Sequence, residues 1–162
     1  RVAGKSEEEI YATNKELKSV FHLIQEKFDV DVKNTEIGSV IYANKPGDGS
    51  AREQAASCQR VLGGAANIAR EYATKRYRSN VMNWGMLPFL IDETDKNAFG
   101  VGDYIWVPNV RKILESGEDT YTAYVIDAKG HTKEITLHLG ELEAEERQIM
   151  ADGCLINHYV KA

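Results

Sequence analysis

The chain has 162 residues, 43% of them hydrophobic and 28% charged, which is enough for one domain with a proper core and short for two. Its 20 basic and 25 acidic residues leave a net charge of −5, which argues against broad binding to nucleic acid or to an acidic membrane surface. No apolar run approaches the length that spans a bilayer. The two cysteines, Cys58 and Cys154, are too few to supply the thiolates of an iron–sulfur cluster, and reading them as reduced thiols places the protein in the cytoplasm.

Along the chain, residues 1–12 are polar and acidic and are expected to form a frayed lead-in with one helical turn. In "TNKELKSVFHLIQEKF", Leu17, Val20, Phe21, Ile24 and Phe28 fall at the spacing of an amphipathic helix, with Thr13 and Glu16 as a capping box and His22 at its surface. Residues 37–44, "IGSVIYAN", have the β-branched composition of a buried strand. The loop "KPGDG" follows. A helix is expected over residues 51–62, stopped by Gly63 and Gly64, then a short buried strand in "AANIA". "REYATKRYRSNVMNW" reads as a helix ending at Gly85, and "MLPFLI" as an edge strand or a strand start because of Pro88. The second half reads as strands in "DYIWVP", "DTYTAYVID" and "HTKEITLHL", the last two joined by the turn "AKG". A last helix in "ELEAEERQIMADG" precedes the tail "CLINHYVKA". The order predicts one α/β domain over residues 1–162 with a mixed or barrel-like β layer.

The chemistry concentrates at "GDGSAREQAA". Ser50 and Glu53 fit an S-x-x-E capping box, which is a purely structural reading. Against it stand a glycine-lined approach, the free N–H groups of a helix start, and Arg52, whose guanidinium offers a fork to a carboxylate or phosphate. The segment is neither a nucleotide P-loop nor a G-x-S-x-G nucleophile elbow, since position 52 is arginine. Other groupings carry less. His131 and His138 share an expected strand at odd separation, so they face opposite sides and do not share a metal. Lys75, Arg76 and Arg78 beside Tyr72 and Tyr77 read as a phosphate contact or a solvated helix face. Glu141, Glu143, Glu145 and Glu146 complement a helix dipole.

"GDGSAREQAA" resembles the "GxGSSREHAA" loop of the aconitase family's C-terminal swivel domain. "LGG", the run Asn80-x4-Gly85-Met86-Leu87-Pro88 and the closing "ADGCLINHYV" are similar, in order, to further motifs of that family. The resemblance implies a three-layer β/β/α swivelling domain of the aconitase or isopropylmalate dehydratase small-subunit type. It also implies part of a hydro-lyase that moves water across a double bond in a small di- or tricarboxylic acid. In that family a 4Fe–4S cluster bound by other domains, absent from this chain, is the Lewis acid. By the same resemblance Ser50 stands where the family has its catalytic base, and Arg52 where it has a substrate-binding arginine. Ala51 replaces a second substrate-binding serine, which removes one hydrogen bond to substrate and bears on specificity. Gln54 stands for the family's histidine, and "EYATKRYRSN" keeps only Asn80 of the "SFARIHxxN" pattern. Partners implied are the substrate acid and the cluster-binding domains or a large subunit, with no membrane. Two alternatives stay open: a separate small subunit of an isopropylmalate dehydratase-like enzyme, and a non-catalytic relative that binds a ligand or RNA.

Overall fold

Helical and extended periodicity alternate in this chain, and the computed structural model, which describes residues 7–30 and 34–161, turns them into seven helices and six strands among those residues. Part of the expected lead-in is ordered as α1, Glu7–Thr13; residues 1–6 lie outside the described residues. Thr13 does not open the next helix. Its hydroxyl donates to the Glu9 carbonyl, 2.6 Å away, and so closes α1. Helix α2, Lys15–Phe28, starts after Asn14, which makes Glu16 the second helical residue. A capping box needs the acid at the third, so the Thr13–Glu16 box does not form. The amphipathic reading holds: Leu17, Phe21 and Ile24 are buried, and His22 is exposed.

The next segment folds as strand, helix, strand, helix, strand. Strands β1 (Ser39–Ala43), β2 (Gly64–Ala69) and β3 (Leu87–Ile91) run parallel, with α3 (Arg52–Val61) and α4 (Lys75–Asn83) as crossovers. Helix α4 is shorter than expected because Thr74 caps it, its hydroxyl accepting from the Tyr77 N–H at 3.2 Å. Strand β1 corrects the expectation of a buried strand. It is the outermost strand, and Val40, Ile41 and Tyr42 are each about two-fifths exposed. Strand β3 is central rather than an edge, lying between β2 and β6. Pro88 is tolerated there because β6 pairs with β3 only at Leu90 and Ile91.

Strands β4 (Tyr104–Trp106), β5 (Thr120–Ile126) and β6 (Thr132–His138) are antiparallel, and β5–β6 is the expected hairpin. His131 falls just outside β6. Two seven-residue helices were not anticipated: α5, Val110–Ser116, and α7, Leu155–Lys161, formed by the expected tail. Between β6 and α7, α6 (Ala144–Asp152) carries a capping box of Glu143 and Glu146, in keeping with the structural reading of those acids.

All six strands form one mixed sheet in the order β1-β2-β3-β6-β5-β4. Its parallel and antiparallel halves meet over the Leu90–His138 and Ile91–Leu137 pairs. Strand β5 shows the period of two that positions its neighbours. Tyr121, Ala123 and Val125 enter a core with Phe89, Leu137, Leu114 and Met150, while Ile126 packs with Ile24 and Trp106 under α2.

Two contacts near the end of the chain are directly testable. Gly85, at φ 69°, ends α4 so close to α6 that a methyl there would lie 1.6 Å from the Gly153 carbonyl oxygen. Gly85→Ala is expected to cost about 3 kcal/mol or more, read as a lower urea midpoint. Helix α7 buries none of its residues and is tied down by polar contacts, with Asp152 accepting from Lys161 Nζ at 2.8 Å and His158 Nδ1 at 2.9 Å. Lys161 first, and His158 second, hold the Asp152 carboxyl down at about 2 from an ordinary 3.8. A depressed acid contributes fully above its ordinary value and is lost as pH falls through the folded one. Amide protection of α7 should therefore drop as pH falls from 3.8 towards about 2, and Asp152→Asn should remove that pH dependence.

Candidate active site

Strands β1, β2 and β3 end on the same side of the sheet, and the segments that leave them lie together at that rim, where ligands of open parallel sheets usually bind. The segment after β1 is residues 44–51. It is fixed to the segment after β2 by two backbone hydrogen bonds, Glu71 N–H to Asn44 (3.1 Å) and Ala73 N–H to Pro46 (2.9 Å). An ion pair between Lys45 and Glu71 at 2.9 Å adds little, since both are well exposed.

Gly47 is where this segment is gripped hardest. Its carbonyl accepts from Arg52 Nε and from the Thr74 hydroxyl, each at 3.2 Å. Its φ of 96° suits glycine, and a methyl there would lie 2.5 Å from the Tyr77 ring. No other residue fits without moving the tyrosine. Gly49, by contrast, has nothing within 4 Å of an added methyl, so its side of the loop is open.

Ser50, Ala51 and Arg52 form the end of this segment. Helix α3 begins at Arg52, with Ala51 as its N-cap, so Ser50 lies one residue before the cap and Glu53 is the second helical residue. The expected Ser50–Glu53 capping box is therefore absent, for the same one-residue reason as at α2. Glu53 instead accepts from Trp84 Nε1 at 3.0 Å, tying α3 to α4. Ser50 is exposed, and its hydroxyl has no hydrogen-bond partner among the described residues. Ala51 is exposed and offers only a methyl. Arg52 is half-buried and forms no ion pair among the described residues; its one hydrogen bond is that from Nε to Gly47. With Ala55 N–H returning to the Ala51 carbonyl at 2.9 Å, the first amides of α3 point outward without an intrahelical acceptor. An uncommitted hydroxyl, a guanidinium with no acid on it and free helix-start amides thus share one short stretch. Together they can receive an anion and place a hydroxyl beside it.

The other candidates resolve differently. Arg78 donates to the Leu139 and Glu141 carbonyls, and so is a clasp between α4 and the segment after β6. Tyr72 donates to the Phe89 carbonyl at 3.2 Å, and burial pushes its phenol well above the ordinary range. Lys75 and Arg76 are exposed, leaving that pair on a solvated helix face. His131 bonds Asp127 at 2.9 Å, whereas His138 lies near Asp92 at the opposite end of the hairpin. Both cysteines are free. Thr74 and Tyr77 are the site residues that sequence reasoning missed. A threonine inside the expected helix was the available signal, as a candidate N-cap.

No helix among the described residues is long and apolar enough to cross a membrane. None of the curated proteins matches the chain. The family model described as "Aconitase C-terminal domain" matches residues 3–94, more than half of the sequence, from ahead of α1 to just past β3. That span includes all three parallel strands and the whole of the Lys45–Arg52 rim, so the likeness read in "GDGSAREQAA" and in the run ending at Pro88 falls inside it. The tail likeness lies outside the matched residues. With its mixed α/β sheet and this match, the chain belongs to the aconitase C-terminal domain family, of the aconitase or isopropylmalate dehydratase small-subunit type.

Proposed function

We propose that this domain is the swivelling part of an aconitase-like hydro-lyase, with Ser50 as proton acceptor and Arg52 as carboxylate clamp. The observation that carries the reading is that the Ser50 hydroxyl and the two Nη groups of Arg52 have no partner among the described residues at the mouth of α3. Loss of water from a hydroxy acid takes a proton from the carbon next to a carboxylate. Arg52 would hold that carboxylate through its two Nη groups, because Nε is occupied by Gly47. Ser50 Oγ would take the proton, and return it when water adds in the reverse direction. A serine oxygen does this only where positive potential favours its anion, and Arg52 with the free amides of α3 supplies that potential.

No three His, Cys, Asp or Glu side chains are grouped to hold a metal ion among the described residues. We assign the family's 4Fe–4S cluster to other domains of the enzyme, while binding of the carboxylate and transfer of the proton fall to this chain's own residues. The acid acted on is a small di- or tricarboxylate. Ala51 leaves the acid one hydroxyl contact fewer than the family pattern provides.

In the enzyme that contains this domain, Ser50→Ala is expected to lower kcat by about a hundredfold or more in a hydration assay that follows the substrate double bond. Stability should stay within about 0.5 kcal/mol, since the hydroxyl caps nothing. Arg52→Lys should act differently, raising KM about tenfold through loss of the fork. Near-normal kcat in Ser50→Ala would remove serine from the role of base.

A further inference from the structure

Three polar side chains that take no part in the proposed chemistry are buried together between α3, β2 and α4. Gln59, Asn67 and Tyr77 are 7%, 1% and 5% exposed. Gln59 Nε2 donates to Asn67 Oδ1 and, at 3.1 Å, to the Ala66 carbonyl; Asn67 Nδ2 donates to the Tyr77 hydroxyl at 2.9 Å. Gln59 Oε1 has no hydrogen-bond partner among the described residues. Tyr77 sits in an otherwise apolar cluster with Ala56, Val81 and Met86. Apolar groups of the same shape would fill this place at no cost in desolvation, so stability alone does not account for the chain of amides and phenol. What it does is fix the tilt and depth of one ring.

That ring is the surface on which Gly47 rests, and the Gly47 carbonyl is the acceptor for Arg52 Nε. The backbone N–H of Tyr77 is in turn fixed by the Thr74 hydroxyl, which donates to the same carbonyl. We propose that Tyr77, pinned through its hydroxyl by Asn67 and Gln59, is a positioning residue that sets the orientation of the Arg52 guanidinium. This rests on the reading of Arg52 as a carboxylate clamp. Its consequence is a constraint on ligand geometry. With Nε held by Gly47, the side-on Nε–Nη fork is closed, and a carboxylate is taken end-on by the two Nη groups.

The test uses the 162-residue chain with Gln59→Met, Asn67→Leu and Tyr77→Phe combined, so that every side chain of the polar chain is replaced by an apolar group of similar shape and only the Ala66 carbonyl loses a side-chain donor. The readout is solvent exchange of the Arg52 Nε–H by nitrogen-15 NMR, beside the urea midpoint. The expected result is a midpoint close to that of the unmodified chain and an Nε–H that exchanges about tenfold faster. Unchanged Arg52 exchange in the folded triple variant overturns the proposal. If that variant does not fold, Tyr77→Phe alone, which removes only the pin, decides on the same signal. A parallel titration with citrate, as a tricarboxylate probe, follows the Ser50 and Arg52 resonances. Citrate shifts that persist in Arg52→Gln, or that are absent from the unmodified chain, overturn the clamp reading and leave the exchange result to judge the positioning role separately.

Discussion

The rim of this domain is organised by one carbonyl oxygen. The oxygen of Gly47 receives the Arg52 Nε–H from the start of α3 and the Thr74 hydroxyl from the start of α4, so three segments meet on a single acceptor. Each hydrogen bond contributes about 1 kcal/mol net, which by itself would not restrain a loop of this length. The restraint comes from packing underneath. With the glycine pressed on the Tyr77 ring, the carbonyl has little room to turn away. A bulkier residue at 47 would lose the packing, and with it the acceptor.

The rest of the fold supports that rim. The parallel half presents three strand ends on one side, and the antiparallel half supplies most of the large core that backs it. Two ladder pairs are a thin connection between the halves, and side chains reinforce it. Arg78 reaches from α4 to the carbonyls beyond β6, and His138 spans from β6 towards Asp92 after β3 and Asp119 before β5. Removing Arg78 would break its hydrogen bonds to both the Leu139 and Glu141 carbonyls, so its value lies in joining two halves rather than in meeting an outside phosphate.

How much was legible in the sequence follows from the length scale of each signal. Helix α2 declared itself because Leu17, Phe21 and Ile24 repeat over two full turns, the first two packing with Tyr104 of β4 and Ile24 with Trp106 of β4 and Ile126 of β5. The β5–β6 hairpin and the glycine stops were legible because turn chemistry is local. Cap register was not. At Thr13 and at Ser50 the S/T-x-x-E spelling is present, yet each helix starts one residue later than the spelling implies, and spelling carries no backbone angle. Helices α5 and α7 span about two turns, too few for periodicity to speak. Strand β1 has the composition of a buried strand but has a neighbour on one side only, which composition does not reveal. Gln59, Asn67 and Tyr77 are eight and ten residues apart in pairs across three elements, and only the packing of α3 and α4 on β2 brings them together.

The chain's net charge of −5 bears on how an anionic acid could be drawn to this rim. A uniform negative field would repel it, but at physiological salt charges more than about 8 Å apart are largely screened. Ser50 and Arg52 are two residues apart, so their Cα atoms are separated by about 7 Å at most. Glu53, the nearest acid along the helix, is turned to Trp84, and Asp48 belongs to the exposed stretch before Ser50. Local potential at the hydroxyl is therefore a balance of near groups, Arg52 and the amides of α3 on one side and the Asp48 carboxylate on the other, rather than of the whole chain's charge. On the proposed function, holding the Arg52 guanidinium in advance matters because reorganising a mobile cation during the reaction would consume the stabilisation it provides.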